Sequence, residues 1–175
     1  MNFFKHFITI TRHRHLVLRY CFFSGLYRQG LLHDLSKYSP TEFFRGVRYF
    51  AGGVRSPIPN ERRELGYSLA WLHHKGRNRH HSEYWIDMNV ETGKYEPVPM
   101  PKRFVAESAL DRIAASYNYN RKSYNSEMPL LYLYRTKEKT PMHESTFCEL
   151  EYLLKFYRDN GERALFKLIK KEYRR

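Results

Sequence analysis

His33 and Asp34 are adjacent in the string Gly-Leu-Leu-His-Asp-Leu-Ser-Lys-Tyr-Ser-Pro, residues 30 to 40. An imidazole beside a carboxylate, just after an apolar turn, can supply two ligands to one divalent metal ion, and both groups are costly to bury otherwise. The plainer alternative has Asp34 capping a helix and His33 at the surface. Three further groups bear on the choice. His13 has Ile10 three positions before it and Val17 four after it, so it shares their apolar helical stripe, whereas His15 points elsewhere. A histidine on such a stripe is either a packed core residue or a ligand. The segment Trp71 to His81 concentrates His73, His74, His80 and His81 among Lys75, Arg77 and Arg79. Neutral imidazole is the commonest metal ligand, while the same segment also reads as a basic nucleic-acid patch. Finally, Glu107 and Asp111 are four apart in an otherwise apolar run, Phe104 to Ala114, so they share one helix face. A carboxylate there wants a cation, unless Asp111 is an ordinary surface salt-bridge residue.

Helices must position these groups, because helical signals dominate and no strand is strongly indicated. Phe3 to Tyr27 reads as a helix carrying His13, and Gly25 and Gly30 bracket the turn region before His33. Ser39, Pro40 and Glu42 form a helix start with a capping box, predicting a helix to about Phe50 that stops at Gly52-Gly53. Asn60 is expected to cap a helix running through Trp71 to about His74. Residues 86–101 are an irregular Pro-rich excursion or small hairpin, in which Ile86 to Val90 could pair with Tyr95 to Val98. Pro101 opens a helix to about Asn118, which carries Glu107 and Asp111. Tyr119 to Lys139 has little periodicity outside Leu130 to Tyr134. Thr140-Pro141 starts a helix to about Arg158, and Glu162 to Tyr173 is a final amphipathic helix after Asn160-Gly161. The predicted class is all-α, with six to eight helices.

Lys and Arg exceed Asp and Glu by 31 to 18, a formal charge of +13, which attracts polyanions without saying which. Aromatic residues at 17% argue against disorder. No apolar run approaches the ~20 residues of a membrane span, and Met1 to Thr11 does not read as a signal peptide. Two cysteines, Cys21 and Cys148, cannot build a disulfide framework, so a cytoplasmic location is expected. The length suits a single domain over 1–175, with a metal-site core in 1–120 and a helical extension, 140–175, packed on it.

The order His, His-Asp, His, His, Asp resembles the HD superfamily of helical metal-dependent phosphohydrolases. More closely, the strings His-Asp-Leu-Ser-Lys-Tyr-Ser-Pro-Thr-Glu-Phe, Ala-Trp-Leu-His-His-Lys-Gly-Arg-Asn-Arg-His-His and Met-Pro-Lys-Arg-Phe-Val-Ala-Glu look like an uncharacterised bacterial and phage family distantly related to HD proteins. The resemblance implies an HD-like helical bundle holding one or two divalent transition-metal ions, Mn, Fe, Zn, Co or Ni. Its matching positions are His13, His33, Asp34 and Asp111, with His74 and one or both of His80 and His81 as further ligands.

That resemblance implies hydrolysis of a phosphate ester, a nucleotide or a related phosphorylated small molecule, by metal-activated water. Asp34 would bridge or orient, and His80 would protonate the leaving oxygen. Lys37, Lys75, Arg77 and Arg79 would hold the phosphate. Two alternatives stand beside this one. Di-iron oxygenases that resemble HD proteins share the same ligand order. A basic nucleic-acid-binding module without catalysis would instead stack bases on Tyr117, Tyr119 and Tyr124 beside Arg121.

Overall fold

The computed structural model describes residues 2–174. The protein is predominantly α-helical, with eight α-helices and one small hairpin among those residues. Helix α1 (Asn2–Phe23) buries His6, Ile10, His13, Val17, Tyr20 and Cys21 along one stripe. Short α2 (Tyr27–Leu32) folds back on it. Gly30 makes that close approach feasible, since a Cβ there would come within 2.7 Å of the Cys21 Cβ. A 3₁₀ turn (Leu35–Tyr38) leads into α3 (Pro40–Arg48), where Ser39 Oγ accepts from the Glu42 N–H.

The helix expected from Asn60 to His74 is instead two, α4 (Ile58–Leu65) and α5 (Leu69–Lys75). Gly66 ends the first in a left-handed conformation, and the Ser68 side chain caps the second. Asn60 is not a cap and donates its side-chain amide to the Tyr49 carbonyl. Buried Glu61 holds the corner by accepting from Ser68 Oγ, the Leu69 N–H and Arg45 Nη1. Two structures compete locally here, and a buried carboxylate satisfied from both sides favours the bend.

The hairpin pairs β1 (Ile86–Asn89) antiparallel with β2 (Lys94–Pro97), Ile86 opposite Pro97. Helix α6 (Lys102–Asn120) follows, and every residue from Val105 to Leu110 is buried. A helix enclosed on all sides is a central helix, and Ala106, Ala109 and Ala114 let its neighbours approach closely. The short apolar piece Leu130 to Tyr134, set in a stretch with little other periodicity, lies within α7 (Met128–Thr136), which buries Leu130 and Leu133. Helix α8 (Glu144–Glu172) starts at a His143 cap and breaks its helical conformation at Gly161. Leu150, Leu154, Leu165 and Ile169 of α8 share one core with Val17, Leu110, Ile113 and Leu133. No helix among the described residues is long and apolar enough to cross a membrane.

Candidate metal centre

Four segments converge on one point beside α6. Helix α1 delivers His13 from its buried stripe, and α6 delivers Glu107 and Asp111 from one face. His33 ends α2, and Asp34 then adopts a left-handed conformation, φ 55° and ψ 21°. Asp tolerates that region better than most residues. Helix α5 and the turn after it bring His74, His80 and His81.

The convergent side chains form three groups that could hold a metal ion; two of these sets share Asp34, and the third group is His33, His80 and Glu107. In the first set, His13 Nε2 lies 2.9 Å from Asp111 Oδ1 and 3.5 Å from Asp34 Oδ2. His33 Nε2 lies 3.4 Å from Asp34 Oδ2 and 3.5 Å from Asp111 Oδ1. In the second set, His74 Nε2 is 3.3 Å and His80 Nε2 3.6 Å from Asp34 Oδ1. His81 completes it, its Nε2 facing that of His74 at 2.9 Å. Asp34 thus turns one oxygen toward each set.

A second layer of carboxylates orients the imidazoles. Glu107 Oε1 lies 2.9 Å from His33 Nδ1 and 3.2 Å from His80 Nδ1. Glu42 Oε2 lies 2.8 Å from His74 Nδ1, and its other oxygen lies 2.6 Å from His73 Nδ1. A carboxylate accepts from Nδ1–H, which leaves the Nε2 lone pairs of His33, His74 and His80 directed at Asp34. Carboxylate–histidine pairs of this kind accompany metal-ligating imidazoles and fix their tautomer.

Two observations test whether these residues suit a cation. Nε2 of His13, His33 and His80 and both Asp34 oxygens are buried without a well-directed hydrogen bond. Groups buried in this way cost about 1–3 kcal/mol each unless something takes their lone pairs. The carboxylates agree, being held ionised, and a bound cation would displace the extra proton that they keep on His33. Burial would raise the Asp34 carboxyl, but His33, Lys37 and His74 hold it well below the usual carboxylate range. Asp111 is likewise low despite burial, because His13 and His33 face it. Burial would lower the His33 imidazole, yet Asp34, Asp111 and Glu107 raise it well above its ordinary value. Burial depresses His74 and His81, which keeps those rings neutral and their lone pairs free. The residues fit a divalent cation.

The remaining sequence-derived candidates separate. Lys37 Nζ sits 2.6 Å from Asp34 Oδ2 and lines a cavity whose floor includes His74, His81 and Asp111. Lys75, Arg77 and Arg79, expected to hold phosphate, do not line that cavity. Exposed Arg77 reaches back to the His73 carbonyl, and the Arg79 guanidinium packs over the Tyr84 ring. Their side chains leave the short turn outward while the adjacent histidines point inward. His80, expected to donate a proton, is 2% exposed, with Nε2 3.6 Å from Asp34 Oδ1 and Nδ1 3.2 Å from Glu107 Oε1. Of the tyrosines proposed to stack bases, Tyr117 packs edge-on to Tyr124, whose hydroxyl meets that of Tyr157 at 2.7 Å.

Sequence reasoning missed Glu42, because its spacing from Ser39 already satisfied a capping rule. Its side chain serves His73 and His74 instead. Asn78, whose amide donates to Ser36 Oγ, and the cavity wall carried no local signal either.

A helical fold enclosing buried histidine and carboxylate groups that could hold a metal ion defines a class, the all-α proteins with a candidate metal centre. Within that class the chain belongs to the Family of unknown function (DUF5662), a model of which matches residues 2–156. Comparison with curated proteins and with solved structures gave no match.

Proposed function

We propose that this protein is a metal-dependent hydrolase of phosphate esters, distantly related to the HD phosphohydrolases. Its substrate would be a nucleotide or another phosphorylated small molecule. The observation that carries the reading is Asp34, whose two carboxylate oxygens each face a different set of imidazoles. His13, His33, Asp34 and Asp111 would hold one divalent ion, and Asp34, His74, His80 and His81 a second. The ions would be drawn from Mn, Fe, Zn, Co and Ni. Such ions, when bound, supply an activated water and an electrophile for a phosphoryl oxygen.

The chain's own residues do the rest. Glu107 and Glu42 hold the rings in the ligating tautomer. Lys37, at the cavity and beside Asp34, is placed to meet phosphoryl oxygens and offset their negative charge. Hydrolysis breaks the bond between phosphorus and the ester oxygen. The water oxygen joins phosphorus, and one water proton goes to the leaving alkoxide.

The test joins elemental analysis to a substrate screen. Protein purified without added metal, then incubated with each ion, is expected to retain about one or two ions per chain. It is expected to release inorganic phosphate from nucleoside phosphates or a generic monoester, and Asp34→Ala to do neither. Protein that stays metal-free after these incubations overturns the reading.

A further inference from the structure

The cavity over the histidine–aspartate cluster has an uneven lining that bears on what enters it. Its floor holds His74, His81, Asp111 and Lys37. Its wall is apolar and aromatic, built from Phe50, Ile58, Ala70 and Trp71. The loop between α3 and α4 also lines it through Arg55, which is exposed and so stands at the rim. The volume, about 110 Å³, is on the scale of one small ring.

The two fixed cations of this lining differ in setting. Lys37 stands at the cluster, 2.6 Å from Asp34 Oδ2. Arg55 makes no ion pair among the described residues, although Arg45 and Arg48 on the preceding helix pair with Glu61 and Glu64. A guanidinium left without a carboxylate at the edge of an apolar cavity is suited to an anionic group of a ligand, which it can hold by two parallel hydrogen bonds.

The geometry points to a compact phosphomonoester as ligand, with a ring-sized apolar body and a second anionic group. The phosphate meets the cluster and Lys37, the body lies against Phe50, Ile58 and Trp71, and Arg55 reads the second anion. This assignment rests on the phosphoesterase reading of the cluster. It goes beyond that reading in naming Arg55 as the residue that sets specificity. A carboxylated aryl phosphate has the required chemistry. Long polyanions do not need an apolar wall.

Unreactive phosphonates test the assignment by binding alone. Calorimetric titration of the metal-loaded full chain would compare phenylphosphonate with 4-carboxyphenylphosphonate. The carboxylated ligand is expected to bind about tenfold more tightly, the effect of one charge-assisted contact at a partly exposed rim. Arg55→Ala is expected to remove that tenfold advantage and leave phenylphosphonate affinity unchanged. Arg55→Glu is expected to shift the preference to 4-aminomethylphenylphosphonate. Equal affinities in the unaltered protein, equal weakening of both ligands by Arg55→Ala, or no binding of either phosphonate overturns the assignment. The underlying reading fails separately. If the carboxylate advantage persists in Asp34→Ala and no phosphate ester is hydrolysed by the unaltered chain, Arg55 reads anions in a pocket that is not a phosphoesterase.

Discussion

Glu42 Oε2 reaches His74 Nδ1 at 2.8 Å, although the two residues stand 32 positions apart in the chain. The contact joins α3 to α5 and directs His74 Nε2 at Asp34. Removing the negative charge is expected to weaken ion binding at the second set and spare the first. In Glu42→Gln the affinity for one of two ions should fall about tenfold, the usual range for a group behind a ligand being 10–100-fold. Metal titration followed by calorimetry would resolve two classes in the unaltered protein and displace only one in the variant. Equal weakening of both classes would mean that Glu42 supports the fold and not a particular set.

Asp34 and Asp111 differ in how many sets they serve. Asp34 belongs to both and Asp111 to one. Asp34→Asn is therefore expected to abolish retention of both ions, and Asp111→Asn to leave about one ion per chain bound. Inductively coupled plasma measurements on folded variants, with helicity checked by circular dichroism, give the counts. Identical counts for the two variants would contradict a shared Asp34.

Gly46 packs against the ring of His6, and a Cβ at position 46 would fall 2.2 Å from His6 Nε2. His6 is 5% exposed and has little room to give way. Gly46→Ala should destabilise the fold by about 1–3 kcal/mol through overpacking. Denaturant unfolding would show the loss, and His6→Ala in the same chain should recover part of it, since the two sites are in contact. Additive losses would place the strain elsewhere.

The same histidine gives the protein a pH-dependent stability. Burial, with a smaller push from the Lys37 charge, lowers its pKa to about 4. The unfolded chain takes up this proton near pH 6.5 while the folded chain resists it to about pH 4. Between those values the unfolded state binds more protons, so stability falls as the pH falls. The loss should reach about 2 kcal/mol near pH 4, allowing for partial solvent screening. Unfolding free energies measured from pH 7 to 4.5 should show the slope, and His6→Phe should flatten it. An unchanged slope in that variant would assign the effect to other groups.

Much of the architecture was legible in local patterns. Phe3, Phe7, Ile10, Val17, Tyr20 and Cys21 marked one stripe of α1; the last four are buried with His13, whereas Phe3 and Phe7 are exposed. Ser39-Pro40 marked the start of α3, and the 86–101 stretch contained the observed hairpin. These features depend on helical periodicity, cap chemistry and turn residues, all set within a few positions. Elsewhere local patterns misled. Asn60 looked like a cap, yet Gly66 and Ser68 broke the segment because Glu61 is buried at the corner. Lys75, Arg77 and Arg79, which lie between the pairs His73-His74 and His80-His81, are expected to hold phosphate on the phosphohydrolase reading, yet they do not line the cavity. In a tight turn adjacent side chains diverge, so the histidines went inward and the basic groups outward.

The sequence by itself determined the residue types that can ligate, their order along the chain and the helices that carry them. Only the tertiary structure decided that Asp34 faces two sets, that Glu42 and Glu107 stand behind the imidazoles, and that Arg55 rims the cavity. The reason is physical. Helix periodicity specifies which face of each element is buried, but how helices cross is settled by packing among residues tens of positions apart. Packing on buried α6 brought α1 and α2 to one point, α5 reached it by packing on α3, and no local pattern encodes that convergence.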